Sequence, residues 1–214
     1  GARALLSRMN VRAVGTTDDP ADSLEHHIAY AGTRQPGDPV MVPSYRPDKA
    51  LAIDDPVTWK AYIDRLSERA NSAIGSYQQL VTALDQRHAA FHALGCRASD
   101  HGLVIPFATF ASPEALQATF AKVLKGTPPT PDESDAFKTG LLLEVGRMNA
   151  QRGWAMQLHL AAIRNLNTPM FRRLGPDTGY DAVSDEKIAR RLGDFMNALQ
   201  SEGMLPKTIL YSLN

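Results

Sequence analysis

The sequence predicts a parallel α/β fold. Three observations carry this expectation. Five short apolar segments alternate with longer stretches of helical periodicity. No GxGxxG or P-loop pattern follows any of them, which argues against a doubly wound nucleotide-binding sheet. Ionisable residues recur at their carboxyl ends, the side on which a (β/α)8 barrel gathers its reacting groups.

The elements follow in chain order. Residues 2–9 read as a helix end feeding the apolar run Val11–Val14, with Gly15-Thr16-Thr17-Asp18-Asp19-Pro20 as the polar loop after a first strand. Pro20 and the acidic residues before it suit the first turn of a helix over 21–30. After a turn-rich stretch, Val40-Met41-Val42-Pro43 reads as the second strand, ending in Ser44-Tyr45-Arg46-Pro47-Asp48. Trp59, Tyr62, Ile63 and Leu66 lie at helical spacing in a long helical region over 56–94, broken near Asn71-Ser72-Ala73-Ile74-Gly75. The third strand spans 95–102, and helices follow over 113–124 and 132–151. Trp154–Leu160 is the fourth strand. The polar, glycine-containing stretch 165–180 is long for a plain connection and reads as a functional loop. An amphipathic helix over 184–201, with Ser184 as N-cap, leads to a fifth strand over 207–214.

Lys plus Arg and Asp plus Glu balance at 23 each, so charge gives no reason to expect nucleic acid or an anionic membrane as partner. No apolar run approaches the roughly 20 residues that span a bilayer, and the N-terminus lacks a secretory pattern. The single cysteine, Cys96, excludes an intrachain disulfide and suits a reducing compartment. A cytoplasmic protein is expected, and a homo-oligomer is compatible with the sequence.

Six blocks resemble, in order, the uronate isomerases of the amidohydrolase superfamily. They are Gly15-Thr16-Thr17-Asp18-Asp19-Pro20, Ser44-Tyr45-Arg46-Pro47-Asp48-Lys49, Gly95-Cys96-Arg97-Ala98-Ser99-Asp100-His101-Gly102, Gln157-Leu158-His159-Leu160-Ala161-Ala162-Ile163-Arg164-Asn165, Leu174-Gly175-Pro176-Asp177-Thr178-Gly179-Tyr180-Asp181 and Pro206-Lys207-Thr208-Ile209-Leu210-Tyr211. The resemblance implies a distorted TIM (β/α)8 barrel of the metal-dependent hydrolase type. Residues 1–214 would form a single partial barrel domain of about five βα units. The family's His-x-His metal pair and its Thr-Asp-Ser-Arg segment have no counterpart here. The chain therefore reads as the middle to later part of a longer protein, with no metal ligands of its own. One divalent metal, zinc, would be held by segments outside it.

The resemblance also implies residue roles. Arg46 and Arg164 match substrate-site arginines, and a guanidinium fork suits the two oxygens of a sugar carboxylate; the competing reading is solvated surface charge. Asp100 matches an active-site aspartate that binds substrate hydroxyls or orients a base, against a helix N-cap. His159 matches an active-site histidine acting in catalysis or substrate contact, against a satisfied core histidine. His101 is a further candidate that strand alternation could turn away from the barrel mouth. Asp18 and Asp19 could pair as carboxylates, although Asp-Asp-Pro at a helix start is commonly a cap. Asp177 is either a turn-former or part of a lid. His88 and His92 sit four apart on a helix, but without HExxH or a third ligand they read as packing residues. Cys96 reads as a small buried residue.

The implied activity is aldose–ketose isomerisation of D-glucuronate to D-fructuronate and D-galacturonate to D-tagaturonate by C1–C2 proton transfer. A small-molecule uronate is the implied partner. Metal-dependent hydrolysis and a catalytically inactive barrel fragment are the alternatives.

Overall fold

A computed structural model describes residues 1–212; positions 213 and 214, the end of the expected fifth strand, lie outside the described residues. The strands are β1 (Ala13–Asp18), β2 (Val40–Tyr45), β3 (Ala98–Leu103), β4 (Ala155–Leu160), β5 (Ala162–Ile163), β6 (Ala182–Val183) and β7 (Lys207–Ser212). The helices are α1 (Ala2–Arg8), α2 (Glu25–Thr33), α3 (Asp48–Leu51), α4 (Pro56–Ala70), α5 (Tyr77–Ala93), α6 (Pro113–Leu124), α7 (Pro131–Arg152), α8 (Thr168–Leu174) and α9 (Ala189–Ser201).

Five strands form one parallel sheet in the order β1-β2-β3-β4-β7, and β5 pairs antiparallel with β6. The order never reverses. Because parallel crossovers are right-handed, an unreversed order sends every crossover helix to the same face, as in a barrel and unlike a doubly wound sheet. Among the described residues the fold is thus five successive strands of a (β/α)8-type barrel with the four crossovers between them.

Side chains alternate across the strands and sort by face. Tyr45, Ser99, His101, Leu103, Met156, Leu158 and Leu160 are buried on the helix side. There Tyr45 meets His88, Phe91 and Trp154 edge-on, and Trp59 meets Phe120 and Phe137. Burying each such aromatic contributes roughly 1.5–3 kcal/mol. Thr17, Ser44, Asp100, Gln157 and His159 face the other way. They lie side by side through the registers Thr17↔Ser44 and Asp100↔Gln157.

Helix starts follow their caps. Asp55 caps α4, Ser76 caps α5, and Thr130 with Glu133 forms a reciprocal capping box on α7. The expected break between α4 and α5 falls at Asn71, which adopts a left-handed conformation.

Four expectations are corrected. The first strand extends through Asp18 because Gly15-Thr16-Thr17-Asp18 continues the ladder to Val42-Pro43-Ser44-Tyr45. The helix expected at 21–30 begins only at Glu25: Asp19 Oδ1 accepts from the Ala21 N–H and Asp22 Oδ2 from the Asp19 N–H, spending both carboxylates on a turn. Residues 165–180 are no open loop; they contain α8 and lie between the strands of the β5–β6 ladder. Ser184 does not cap a helix, since its N–H donates to Ala161 O at the end of that ladder and α9 starts at Ala189.

A polar chain crosses the helix-side core. His88 Nε2 lies 3.0 Å from Asn149 Oδ1, Asn149 Nδ2 donates to Ser99 Oγ at 2.7 Å, and His101 Nε2 lies 2.8 Å from the same hydroxyl. Burial is the main cause that lowers the pKa of His88 to about 4 and of His101 to about 3. The unfolded chain, with ordinary histidines near 6.5, binds protons that the fold refuses. The stability these neutral histidines allow is therefore complete above about pH 6.5 and is lost as pH falls toward 4. Each histidine adds a slope of about 1.4 kcal/mol per pH unit in that window. Urea unfolding of the complete gene product between pH 7 and 5 will show this slope, and His88→Gln will flatten it by one proton.

Candidate active site

The polar face of the sheet opens into a cleft of about 310 Å³ at the strand carboxyl ends, lined by Gly15, Thr16 and Thr17 of β1, Ser44 and Arg46 of β2 and the turn after it, Asp100 of β3, Gln157 and His159 of β4, and Arg164. A neighbouring cleft of about 210 Å³ shares Thr17 and Arg46 and adds Asp18, Asp19, Asp22, Asp48 and Lys49. Arg46 forms the wall between them.

Arg46 is held at two points. Its Nε donates to Asp48 Oδ2 at 2.9 Å and its Nη1 to Asp100 Oδ2 at 3.2 Å. Burial works against the guanidinium, but Asp48 and then Asp100 more than offset it, so its pKa is raised. Asp48 also accepts from the Gly102 N–H at 3.1 Å. Burial raises the Asp48 pKa, against the pull of Arg46 and that N–H. Gly102 is needed for this packing: a Cβ there would lie 2.7 Å from Arg46 Nη2.

Asp100 joins Arg46 to His159, whose Nδ1 lies 2.7 Å from Asp100 Oδ1. The two atoms are close but not aligned as a hydrogen bond, and both are buried without a hydrogen-bond partner among the described residues. The His159 ring stacks on Tyr211, 4.5 Å between centroids, and Tyr211 Oη bonds to Gln157 at 2.9 Å. With Nδ1 buried and the side chain 42% exposed, the ring edge bearing Nε2 faces the cleft. Arg164 is freer. Among the described residues it makes one ion pair, to Asp181 at 2.6 Å, and its side chain is 53% exposed. Asp181 is held in turn by the Asn165 N–H.

Of the residues expected at a site, Arg46, Asp100, His159 and Arg164 converge on one cleft. His101 does not line it. Alternation turns His101 to the helix side, where it is fully buried against Ser99, with Nδ1 3.9 Å from Asp48 Oδ1. Asp18 and Asp19 line the neighbouring cleft but do not pair with each other. Asp18 accepts from Thr16 Oγ1 at 2.6 Å beside His27, and Asp19 lies near Lys49 and Arg65. Asp177 sits in a left-handed turn conformation, its charge adding a smaller attraction to Arg46. His88 and His92 both pack on Trp154, and buried Cys96 has its thiol pKa pushed up to about 11, chiefly by burial. Asp48, Gln157 and Tyr211 were not singled out from sequence. Stepping two residues back along β4 from His159 finds Gln157.

Among the described residues, no three His, Cys, Asp or Glu side chains are placed to hold a metal ion. The nearest approach is Asp100 with His159, and there the Arg46 cation already occupies the carboxylate. This donor set does not fit a metal centre on its own.

The sequence profile of glucuronate isomerases matches residues 1–214. The chain belongs to that family. A uronate isomerase from Phocaeicola vulgatus is 43% identical over 214 residues, which is all of this chain and 45% of the relative. Among solved structures, the uronate isomerase of Thermotoga maritima superposes with a TM-score of 0.91 at 32% identity, covering 99% of this chain and 46% of that one. The glucuronate isomerase of Caulobacter crescentus does so with a TM-score of 0.86 at 28% identity, covering 99% and 43%. The chain thus spans less than half the length of the family members it matches.

Gly102→Ala tests the Arg46 clamp. The atom it meets ends a flexible side chain, so the stability cost is expected at about 1 kcal/mol, the low end for overpacking. The Arg46 Nε–H will lose its protection from solvent exchange, which ¹⁵N NMR reads directly.

Proposed function

We propose that residues 1–214 form the substrate-holding part of a cytoplasmic uronate isomerase, which converts D-glucuronate to D-fructuronate and D-galacturonate to D-tagaturonate. The observation that carries this reading is the convergence of Arg46, Asp100, His159 and Arg164 on one polar cleft at the strand carboxyl ends. The family resemblance adds one divalent metal, zinc, on ligands outside residues 1–214.

The two arginines differ in what they can offer. Arg46 is engaged by two carboxylates and serves as a fixed cation beside the reacting carbons. Arg164 has a single, solvent-exposed partner in Asp181 and can exchange it for the substrate carboxylate. An exposed pair of this kind contributes about 0–1 kcal/mol, so exchanging it costs little. In the reaction the C2 proton leaves, an enediol forms, a proton arrives at C1, and the C2 hydroxyl becomes the ketone. His159, set by Asp100 and the Tyr211 ring, presents Nε2 to the substrate oxygens that gain and lose protons. The transfer between the carbons draws on groups outside residues 1–214.

Incubating the complete gene product with glucuronate in deuterated water should yield the ketose, with deuterium at C1 by NMR; absence of ketose sinks the reading. Arg164→Met should lower kcat/KM about 10- to 100-fold, mainly through KM, as a charge-assisted hydrogen bond is lost. Its melting temperature should barely change, since the ion pair it breaks is exposed. Parallel losses of activity and stability would make Arg164 structural.

A further inference from the structure

His101, Ser99, Asn149 and His88 are all fully buried, and their hydrogen bonds form one unbranched chain on the helix side of the sheet. Its direction follows from donor and acceptor chemistry. Asn149 Oδ1 only accepts, so His88 Nε2 carries a hydrogen and donates to it. Asn149 Nδ2 donates to Ser99 Oγ; the hydroxyl oxygen could also accept from His101 Nε2, but the buried Ser99 O–H would then have no acceptor among the described residues, so its hydrogen is given to His101 Nε2. His101 Nε2 is then the bare nitrogen and Nδ1 carries the hydrogen. That Nδ1–H faces Asp48 Oδ1 at 3.9 Å, and neither atom has a hydrogen-bond partner among the described residues.

The opposite direction, with the Asn149 amide turned over, would place the Nδ1 lone pair against the Asp48 carboxylate. Two negative centres would then face each other in a buried site, where such repulsion is strong. The carboxylate thus agrees with the direction that the Asn149 and Ser99 donors set. A shift of about 1 Å brings the 3.9 Å contact into hydrogen-bonding range.

We propose that His88, Asn149 and Ser99 form a one-way hydrogen-bond relay that fixes His101 as its Nδ1–H tautomer, and that His101 in turn positions Asp48 and, through it, the Arg46 guanidinium. These are positioning residues: none touches the cleft in which the substrate is held. The relay extends from the α5–α7 core to Asp48, and from there Arg46 and Asp100 connect it to His159. Its effect on turnover rests on the isomerase reading, whereas the tautomer of His101 does not.

Asn149→Asp is the decisive variant, because it changes the chemistry at nearly constant volume. A carboxylate only accepts, so Ser99 must donate to it, and His101 must donate to Ser99 through Nε2. Long-range ¹H–¹⁵N spectra of the complete gene product report histidine tautomers directly. The wild type is expected to show His101 with the hydrogen on Nδ1, and Asn149→Asp to show it on Nε2. KM for glucuronate should rise about tenfold or more in that variant as Arg46 loses its placement. His101→Asn, which keeps an N–H at the position of Nδ1, should retain far more activity than His101→Leu. If Asn149→Asp does not fold, Ser99→Ala serves instead: it removes the bond that the relay makes to His101 Nε2, and the Nδ1–H form is expected to fall from sole to partial population, with Asp48 still favouring it. An Nε2–H tautomer in the wild type, or an unchanged tautomer in Asn149→Asp, overturns the relay. A reversed tautomer with unchanged KM overturns its positioning role. If the wild type makes no ketose, the isomerase reading fails, while the spectra still decide the relay.

Discussion

In a parallel sheet whose strand order never reverses, all crossover helices pack on one face, and each strand must sort its side chains to match. Strand β3 shows how strict this is. Ser99, His101 and Leu103 go to the helices, while Asp100 and Gly102 go to the cleft. A slip of one residue would drive Asp100 into the core beside Trp154 and expose Leu103. The cost of burying an unpaired carboxylate makes that register inaccessible. The same alternation on β4 sends Met156, Leu158 and Leu160 inward and leaves Gln157 and His159 at the mouth. Site and core are two faces of one pattern.

Electrostatics then decides what the cleft can do. Arg46 sits between two carboxylates in a partly buried setting, where its positive charge is secured and its position restrained. Gly102 makes room for it, and the backbone N–H of the same residue holds Asp48. A lysine at this position would provide charge without the two-point fork that engages both Asp48 and Asp100. Arg164 is the contrasting case: one partner, half exposed, and therefore exchangeable. A cleft with one locked and one exchangeable guanidinium can bind an anionic ligand without dismantling its own framework.

Much of this was legible in the sequence. Alternating apolar and helical segments marked the sheet and the helices α4, α6 and α7, and ordered motifs marked Arg46, Asp100, His159 and Arg164. What was not legible has physical causes. Gly15-Thr16-Thr17-Asp18 looks like a loop because it is polar, yet a strand lining a polar cleft needs polar residues. The β5–β6 ladder is two residues long on each side and leaves no periodicity to detect. Asp48 stood in a quoted motif, but its role depends on Gly102, which approaches only across the sheet. The orientation of His101 could be posed from alternation but not decided, since the registration of β3 against its neighbours fixes which parity faces the helices.

The buried polar chain behind β3 bears on how firmly the cleft is specified. Four fully buried polar side chains in a mostly apolar layer cost desolvation that well-packed leucines would avoid. Linking them to one another recovers most of that cost, yet the two ends, His88 Nδ1 and His101 Nδ1, have no hydrogen-bond partners among the described residues. An apolar core would serve the fold alone at least as well. What an apolar core lacks is direction: a chain of donors and acceptors has a polarity, and its last hydrogen faces the carboxylate that holds Arg46. The helix-side core thus contributes more than support to the cleft, since the hydrogen-bond order among α5, α7 and β3 determines which charge-bearing atom faces Asp48.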